Sequence, residues 1–330
     1  HRKYRPESEI NRDKKNDPIE KFKSLCISKD IIKKDDFDSL EKEIINGVND
    51  DAIWAEEQKD PVDPNINLFL PENNFGIELK NKNNDIVLVD AINHAMDEEL
   101  EFNEKMIIYG QDVAGGKGGV FTATKGLTDK HGENRVFNSP LAESSIIGTA
   151  IGMATLGYKP VVEIQFGDYI WTSMMQIRNE LATMYYRSNG FWSCPVVIRV
   201  PVGGYIHGSL CHSQSIDGYF THLPGVMIAY PSNASDAKGL LKAACRMNNP
   251  VLFFEHKGLY RQGYATSKEP DENYCLDFGS GRIAQEGSDL TIITWGALVQ
   301  KSIEASKQTN RSIEVVDLRT LYPLDLNIII

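Results

Sequence analysis

The sequence predicts an α/β protein: a doubly wound parallel sheet, preceded by a charge-rich helical segment and followed by the start of a second α/β unit. Three observations carry this. From residue 85 onward, short apolar runs bounded by turn residues alternate with stretches whose apolar residues recur at helical spacing, as in a parallel sheet with crossover helices. The apolar runs are continuous rather than alternating, as in strands covered on both faces. Residues 1–84 lack this rhythm and are rich in charge, Asn and Pro.

In chain order, residues 1–25 (HRKYRPESEINRDKKNDPIEKFKSL) read as a charged loop entering a helix at Asp17-Pro18, because Pro suits a helix's first turn. Phe22, Leu25 and Cys26 form its apolar stripe. A second helix is predicted over 35–57, where Phe37, Leu40, Ile44, Ile45, Val48 and Ile53 recur near a 3.6-residue period. Residues 60–84, with Pro61, Pro64, Pro71 and seven Asn, have linker composition. Helix 86–103, strand 106–110, a Gly-rich loop, strand 136–137, helix 144–156, strand 160–166 and helix 169–187 come next. Gly148, Gly152 and Ala154 predict close packing of helix 144–156, while Ile170, Met174, Ile177, Leu181 and Met184 share one face of helix 169–187. Runs at 195–200, 226–230 and 251–255 read as buried strands, with helix 234–247 between the last two. A further unit starts near Cys275, with strand 290–295, helix 297–308, strand 313–317 and another helix from Leu324. The expected domains are therefore 1–84, 85–265 and 275–330. One βαβ unit of that length does not cover both faces of its sheet, so the last domain is expected to be truncated.

Apolar content of 41% and charged content of 25% are ordinary for a globular chain. A net charge of -11 argues against a nucleic-acid partner, which requires clustered Lys and Arg. The five cysteines form no CxxC pair, so neither a disulfide framework nor a cysteine-rich zinc site is expected. A reducing compartment, cytoplasm or organelle matrix, is favoured over secretion. No apolar run approaches 18 residues, so no membrane span is expected.

Several residues are placed to do chemistry. RVFNSPLAE (135–143) sets Glu143 between a strand and a helix, at the sheet edge where open α/β folds bind ligands. A carboxylate buried there holds its proton more tightly than usual; alternatively, Glu143 is a first-turn residue facing the helix dipole. Phe166 ends PVVEIQF and is either a core residue or a stacking surface for a flat ring. His212 lies in GGYIHGSLCHSQS, after a strand, where an imidazole can bind a carboxylate or move protons. His207 and Cys211 precede it at spacings that match no standard zinc pattern. His131 and His222 read as structural or surface residues. GQDVAGGKGGVF (110–121) matches neither nucleotide-loop pattern and reads as a flexible site border or a plain loop.

The ordered series GQDVAGG, RVFNSPLAE, EIQFGDYI, YYRS, CHSQS, HLPGV, AKGLL, NNPVLFFEHKGLYR and LRTLYPLD resembles the β-subunit, or transketolase-like pyrimidine-binding, half of thiamine-diphosphate-dependent 2-oxo acid dehydrogenases. EIQFGDYI, YYRS and the FFE–LYR ending point to the branched-chain (2-oxoisovalerate) type. The likeness spans roughly 86–326, while YRPESEI, NDPIEKF and PNINLF within 1–70 resemble the end of the partner α subunit, implying a fused α–β chain. The resemblance implies oxidative decarboxylation of branched-chain 2-oxo acids with thiamine diphosphate. It also implies acyl transfer to the lipoyl group of an acyltransferase core. Glu143 would then activate the cofactor, Phe166 pack on its pyrimidine, and Gln165 and Tyr169 lie beside it. His212 would be catalytic, with His207 and Gln165 lining the substrate. A potassium site is implied at Val196, Ala244, Met247 and Asn249. No Gly-Asp-Gly…Asn motif occurs, so Mg2+ and diphosphate ligands are expected from an upstream domain or α subunit, in a homodimer of fused chains. Rival readings are a pyruvate or acetoin dehydrogenase component, a transketolase-like carbon transferase, and a catalytically silent assembly module.

Overall fold

Seven strands pair into the main sheet of the computed structural model, which describes residues 6–60, 63, 68–70, 74–76 and 78–330. The chain divides into two units, 1–64 and 65–330. The first holds α1 (Glu7–Lys15), α2 (Pro18–Ser28) and α3 (Lys34–Glu57). The Asp17 side chain caps α2 by accepting from the Ile19 N–H at 2.9 Å, with Pro18 in the first turn. Part of the stretch read as a charged loop is α1, whose acidic first turn and basic last turn complement the helix dipole. Cys26 is buried, but Leu40, Ile44, Ile45, Val48 and Ile53 of α3 are exposed. Their periodicity identified the helix without identifying a cover.

The second unit begins with β1 (Asn81–Ile86), α4 (Leu88–Phe102), β2 (Met106–Gly110), α5 (Leu127–His131), β3 (Val136–Asn138), α6 (Glu143–Thr155) and β4 (Lys159–Glu163). The short α7 (Met184–Arg187), β5 (Val197–Val202), the short α8 (Asp217–Phe220), β6 (Met227–Ala229), α9 (Ala234–Arg246), β7 (Val251–His256) and β8 (Ser267–Pro270) follow. Last come β9 (Arg282–Gln285), β10 (Leu290–Thr294), α10 (Ala297–Ser306), β11 (Ile313–Asp317), β12 (Thr320–Tyr322) and α11 (Leu326–Ile329). The main sheet runs β12-β6-β7-β5-β4-β2-β3, parallel except for β12. A three-stranded sheet runs β10-β11-β9, and β1 pairs with β8. Successive residues of each strand point to opposite faces. Ile108, Val161, Val197 and Phe253 pack with residues of α4 and α9 in one core. Tyr109, Val162, Ile198 and Phe254 pack with residues of α6 in the other.

Four local features differ from expectation. The span read as a linker contains β1, whose Asn- and Lys-rich residues are held by antiparallel pairing with β8 rather than by an apolar pattern. Residues read as one helix over 169–187 form a 3₁₀ segment, Gly167–Ser173, a π-helical turn, Gln176–Leu181, and α7. Such turns cluster at functional sites, and here Ile170, Ile177 and Leu181 still reach the core. Gly148 and Gly152 are exposed, so of the three small residues expected to pack closely only Ala154 is buried. Finally, β12 adds antiparallel to β6, so the main sheet takes an edge strand from the end of the chain.

At the sheet centre, Arg199 of β5 is wholly buried between carboxylates of both neighbouring strands. Its Nη1 donates to Glu163 at 2.8 Å, while Nε and Nη2 donate to Glu255 at 2.7 and 2.8 Å. The Tyr260 hydroxyl donates to Glu255 at 2.7 Å. Burial opposes the arginine's charge, yet Glu255 and Glu163 overcome it and hold its pKa above the ordinary value. Replacing Arg199 with Met would strand two buried carboxylates. The expected cost is about 3–5 kcal/mol, measured as a lowered urea midpoint; an unchanged midpoint would show that the sheet does not depend on this cluster.

Candidate functional site

Open α/β sheets bind ligands at the carboxyl ends of their strands, and several candidate residues lie there. Gln111 follows β2, Gln165 and Phe166 follow β4, and Lys257 follows β7. The loop after β2 bends back through glycines: a Cβ on Gly118, at φ +64, would lie 2.3 Å from the Lys125 Cα. Its neighbour Gly119, at φ +83, sits against the Glu163 carboxylate.

Glu143 is the first residue of α6, at the positive end of the helix dipole. Its Oε1 accepts from Gln111 Nε2 at 3.1 Å and its Oε2 from the Thr172 hydroxyl at 3.3 Å. The carboxyl is half-buried, not buried as its expected role as a proton-holding acid assumed. It follows β3, the edge strand of the sheet among the described residues.

Around Phe166 the aromatic residues meet edge to face. Its ring centroid lies 4.5 Å from that of His212 and 5.5 Å from that of Tyr169, at 86° and 73°. The Tyr169 hydroxyl is 2.7 Å from His212 Nε2, and His212 Nδ1 is 3.0 Å from the Gly208 carbonyl. A carbonyl only accepts, so in the neutral ring Nδ1 carries the proton and Nε2 accepts from Tyr169. Gln165 is buried and donates to the Gln111 carbonyl and to Asp112, both at 3.2 Å.

Thus Glu143, Gln165, Phe166, Tyr169 and His212 lie along one sheet edge, linked by Gln111 and by the segment 165–172. His207 is exposed, with left-handed backbone, and takes no part in these contacts. Sequence reasoning missed Gln111, Thr172 and Lys257. The signal for Gln111 and Lys257 was their place immediately after a strand. Four buried side-chain atoms have no partner among the described residues: Gln111 Oε1, Asp168 Oδ1, Gln176 Oε1 and Lys257 Nζ. Buried polar groups rarely stay unpaired, so such atoms call for a ligand or water. With the aromatic face of Phe166, the Gln111 amide and the Glu143 carboxyl fit a flat heterocycle that both donates and accepts. A cavity of about 590 Å³, lined by Gly204, Tyr205, His256, Tyr264, Lys301 and Glu304, holds none of Glu143, Gln165, Phe166, Tyr169, His207 and His212.

The positions implied for potassium do not fit a bound ion. The Met247 carbonyl accepts from the Lys159 ammonium at 2.8 Å. The Val196 carbonyl accepts from the Val251 N–H at 2.9 Å. The Asn249 side chain is engaged in both directions by the Leu70 backbone, at 2.9 and 3.1 Å. Ala244 is buried in the last turns of α9. Lys159 itself is buried, and a fixed positive charge there repels a second cation. The described residues also contain no cluster of three or more His, Cys, Asp or Glu able to hold a metal, and no helix long and apolar enough to cross a membrane.

Two family models match the chain: transketolase, pyrimidine binding domain, over residues 84–262, and transketolase, C-terminal domain, over 279–330. The chain is 49% identical over 245 residues to the 2-oxoisovalerate dehydrogenase subunit beta of Bacillus subtilis, covering 73% of this chain and 74% of that one. It is 44% identical over 248 residues to the pyruvate dehydrogenase E1 component subunit beta of the same organism, covering 74% and 75%. A solved split gene transketolase, an inactive beta4 tetramer, superposes with a TM-score of 0.59 over 74% of each chain; at 23% identity this shows a shared fold.

Two expectations follow from Lys159. Its thermal midpoint should be equal in KCl and NaCl of the same ionic strength; a midpoint several degrees higher in KCl would reinstate the potassium site. Burial pushes the Lys159 pKa from 10.5 down to about 8. Between those values the unfolded chain binds more protons than the folded one, so this group makes stability rise with pH across that window. In Lys159→Met that rise should shrink, as followed by urea denaturation from pH 8 to 10; an unchanged slope would mean that Lys159 is not the titrating group.

Proposed function

We propose, because the chain belongs to the transketolase pyrimidine-binding domain family, that it forms the pyrimidine-binding half of a thiamine-diphosphate-dependent 2-oxo acid dehydrogenase component acting on branched-chain 2-oxo acids. The observation that carries this reading is the line of Glu143, Gln111, Phe166, Tyr169 and His212 along one sheet edge, with the Gln111 amide oxygen buried and unpaired. Thiamine diphosphate, when bound, supplies the carbanion-stabilising centre that lets a 2-oxo acid lose its carboxylate as carbon dioxide. Glu143, held by Gln111 and Thr172, carries or accepts a proton at its carboxyl oxygens toward the pyrimidine. Phe166 gives the ring an apolar face, and the Gln111 amide oxygen is an acceptor for one of its N–H groups. Gln165, fixed by Gln111 and Asp112, borders the same space.

His212 is the group proposed to move a proton during acyl transfer, through the Nε2 that Tyr169 orients. Its Gly208 bond fixes the tautomer that leaves Nε2 free to accept. The diphosphate and its Mg2+ would be held by a partner region of α-subunit type, and the acyl acceptor would be the lipoyl group of an acyltransferase core. The helices of the first unit, whose sequence resembles an α-subunit end, fit a fused α–β chain that pairs with a second copy. The 49% likeness to a 2-oxoisovalerate enzyme favours branched-chain acids, and the 44% likeness to a pyruvate enzyme keeps pyruvate as the second reading.

The test is decarboxylation-coupled dye reduction by the chain reconstituted with its diphosphate-binding partner, thiamine diphosphate and Mg2+. Turnover should be faster with 3-methyl-2-oxobutanoate than with pyruvate; the reverse order would replace the substrate. Glu143→Gln should lower turnover by about 10²–10⁴-fold while circular dichroism stays unchanged. Activity retained in that variant would remove Glu143 from the mechanism.

A further inference from the structure

Lys257 follows β7 and is 2% exposed. Its Nζ is buried with no hydrogen-bond partner among the described residues. Buried ammonium groups are costly unless paired, and the other buried lysines among the described residues have hydrogen-bond partners. Lys238 and Lys242 both reach Glu98, at 2.7 and 2.5 Å. Lys257 instead lies 5.4 Å over the Phe166 ring, a contact weaker than an ion pair. Burial pushes its pKa down to about 8 against the pull of Asp168, so it stays largely charged at neutral pH. Asp168 does not close the account, because its own Oδ1 is buried and unpaired and its Oδ2 is 3.4 Å from the Gln214 N–H.

Lys257 is also one of the residues lining a cavity of about 280 Å³. A second cation, Arg261, lines it too; its guanidinium donates to the Thr122 hydroxyl at 2.6 Å and is 4.0 Å from Asp90. Val120, Phe121 and Ile206 supply apolar wall, and none of the described residues lining the cavity is a carboxylate. Two cations in an aromatic and aliphatic cavity fit a small anion with a short apolar tail. One wall is common to the candidate site: Phe121 meets Phe166 edge to face at 5.7 Å, and Phe166 in turn meets His212.

We propose that this cavity binds the carboxylate of a small apolar 2-oxo acid, with Lys257 as its charge partner and Val120, Phe121 and Ile206 around its side chain. The 2-oxo acid identity rests on the proposed function; the carboxylate site rests on Lys257 and its cavity alone. A phosphate ester or diphosphate fits less well, since one ammonium and one engaged guanidinium offer few donors and the walls are apolar.

The experiment is isothermal titration of the full chain with 3-methyl-2-oxobutanoate, its neutral amide and inorganic phosphate. It uses the unsubstituted protein, Lys257→Met and Lys257→Arg. The acid should bind the unsubstituted chain about tenfold or more tighter than the amide. Lys257→Met should erase that difference and Lys257→Arg retain most of it. Equal binding of acid and amide, tighter binding of phosphate than of acid, or undiminished acid binding in Lys257→Met each overturns the proposal. The acid–amide and Lys257→Arg comparisons stand even if Lys257→Met fails to fold. Cofactor-dependent turnover of the reconstituted complex is scored separately. Turnover with Lys257-independent acid binding removes this site and leaves the proposed function; Lys257-dependent binding without turnover does the reverse.

Discussion

Arg199 joins the three central strands of the sheet through side chains, at a depth where water cannot substitute. Opposite it in register stands Glu163 of β4, and Glu255 of β7 takes the other side of its guanidinium. A planar group with five fixed donors can hold two carboxylates on opposite sides, which a lysine cannot do with the same geometry. Two carboxylates share one arginine, and burial pushes the Glu163 pKa up against the pull of the Arg199 guanidinium. The arrangement also fixes where the strands end relative to one another. Gln165, Phe166 and Lys257 follow within a few residues of these carboxylates, so the site edge inherits its alignment from the cluster.

Burial then divides the site into two chemical environments. On the outer side, β3 is an edge strand and Glu143 is only half-buried. Toward the middle, Phe166, Gln165 and Lys257 are nearly inaccessible, and charge there is costly without a partner. Three of the four atoms left unpaired, Gln111 Oε1, Asp168 Oδ1 and Lys257 Nζ, belong to residues that follow strands of the main sheet within a few positions, and the fourth, Gln176 Oε1, lies in the π-helical turn. That concentration is what separates a ligand site from a packed strand end.

Lysines meet different fates elsewhere in the same sheet layer. Lys238 and Lys242 lie on α9 and reach Glu98 of α4, tying the two helices that cover one face of the sheet. Lys159 instead turns its ammonium to a main-chain carbonyl, Met247, where the family resemblance implied a bound potassium. A tethered cation needs no ion from solution, and it costs the folded state part of the lysine's proton affinity.

Much of this was legible in the sequence, and the limit is physical. Continuous apolar runs alternating with helical periods point to a parallel sheet with two covered faces, because strands that lack a polar side need cover on both and the crossover helices supply it. The order of short motifs pointed to the family, and the resemblance named Glu143, Gln165, Phe166, Tyr169 and His212 as candidate site residues. Tertiary structure alone decided what those residues meet. That His212 pairs with Tyr169 while His207 faces solvent follows from backbone turns in a Gly-rich loop that carries no periodicity. Arg199 reads as a break in an apolar strand until Glu163 and Glu255 arrive from strands far away in sequence. Lys159 and the strand β1 were invisible for the same reason: local pattern records which side chains tend to be covered, whereas charge partners and strand pairing come from residues that only the fold brings together.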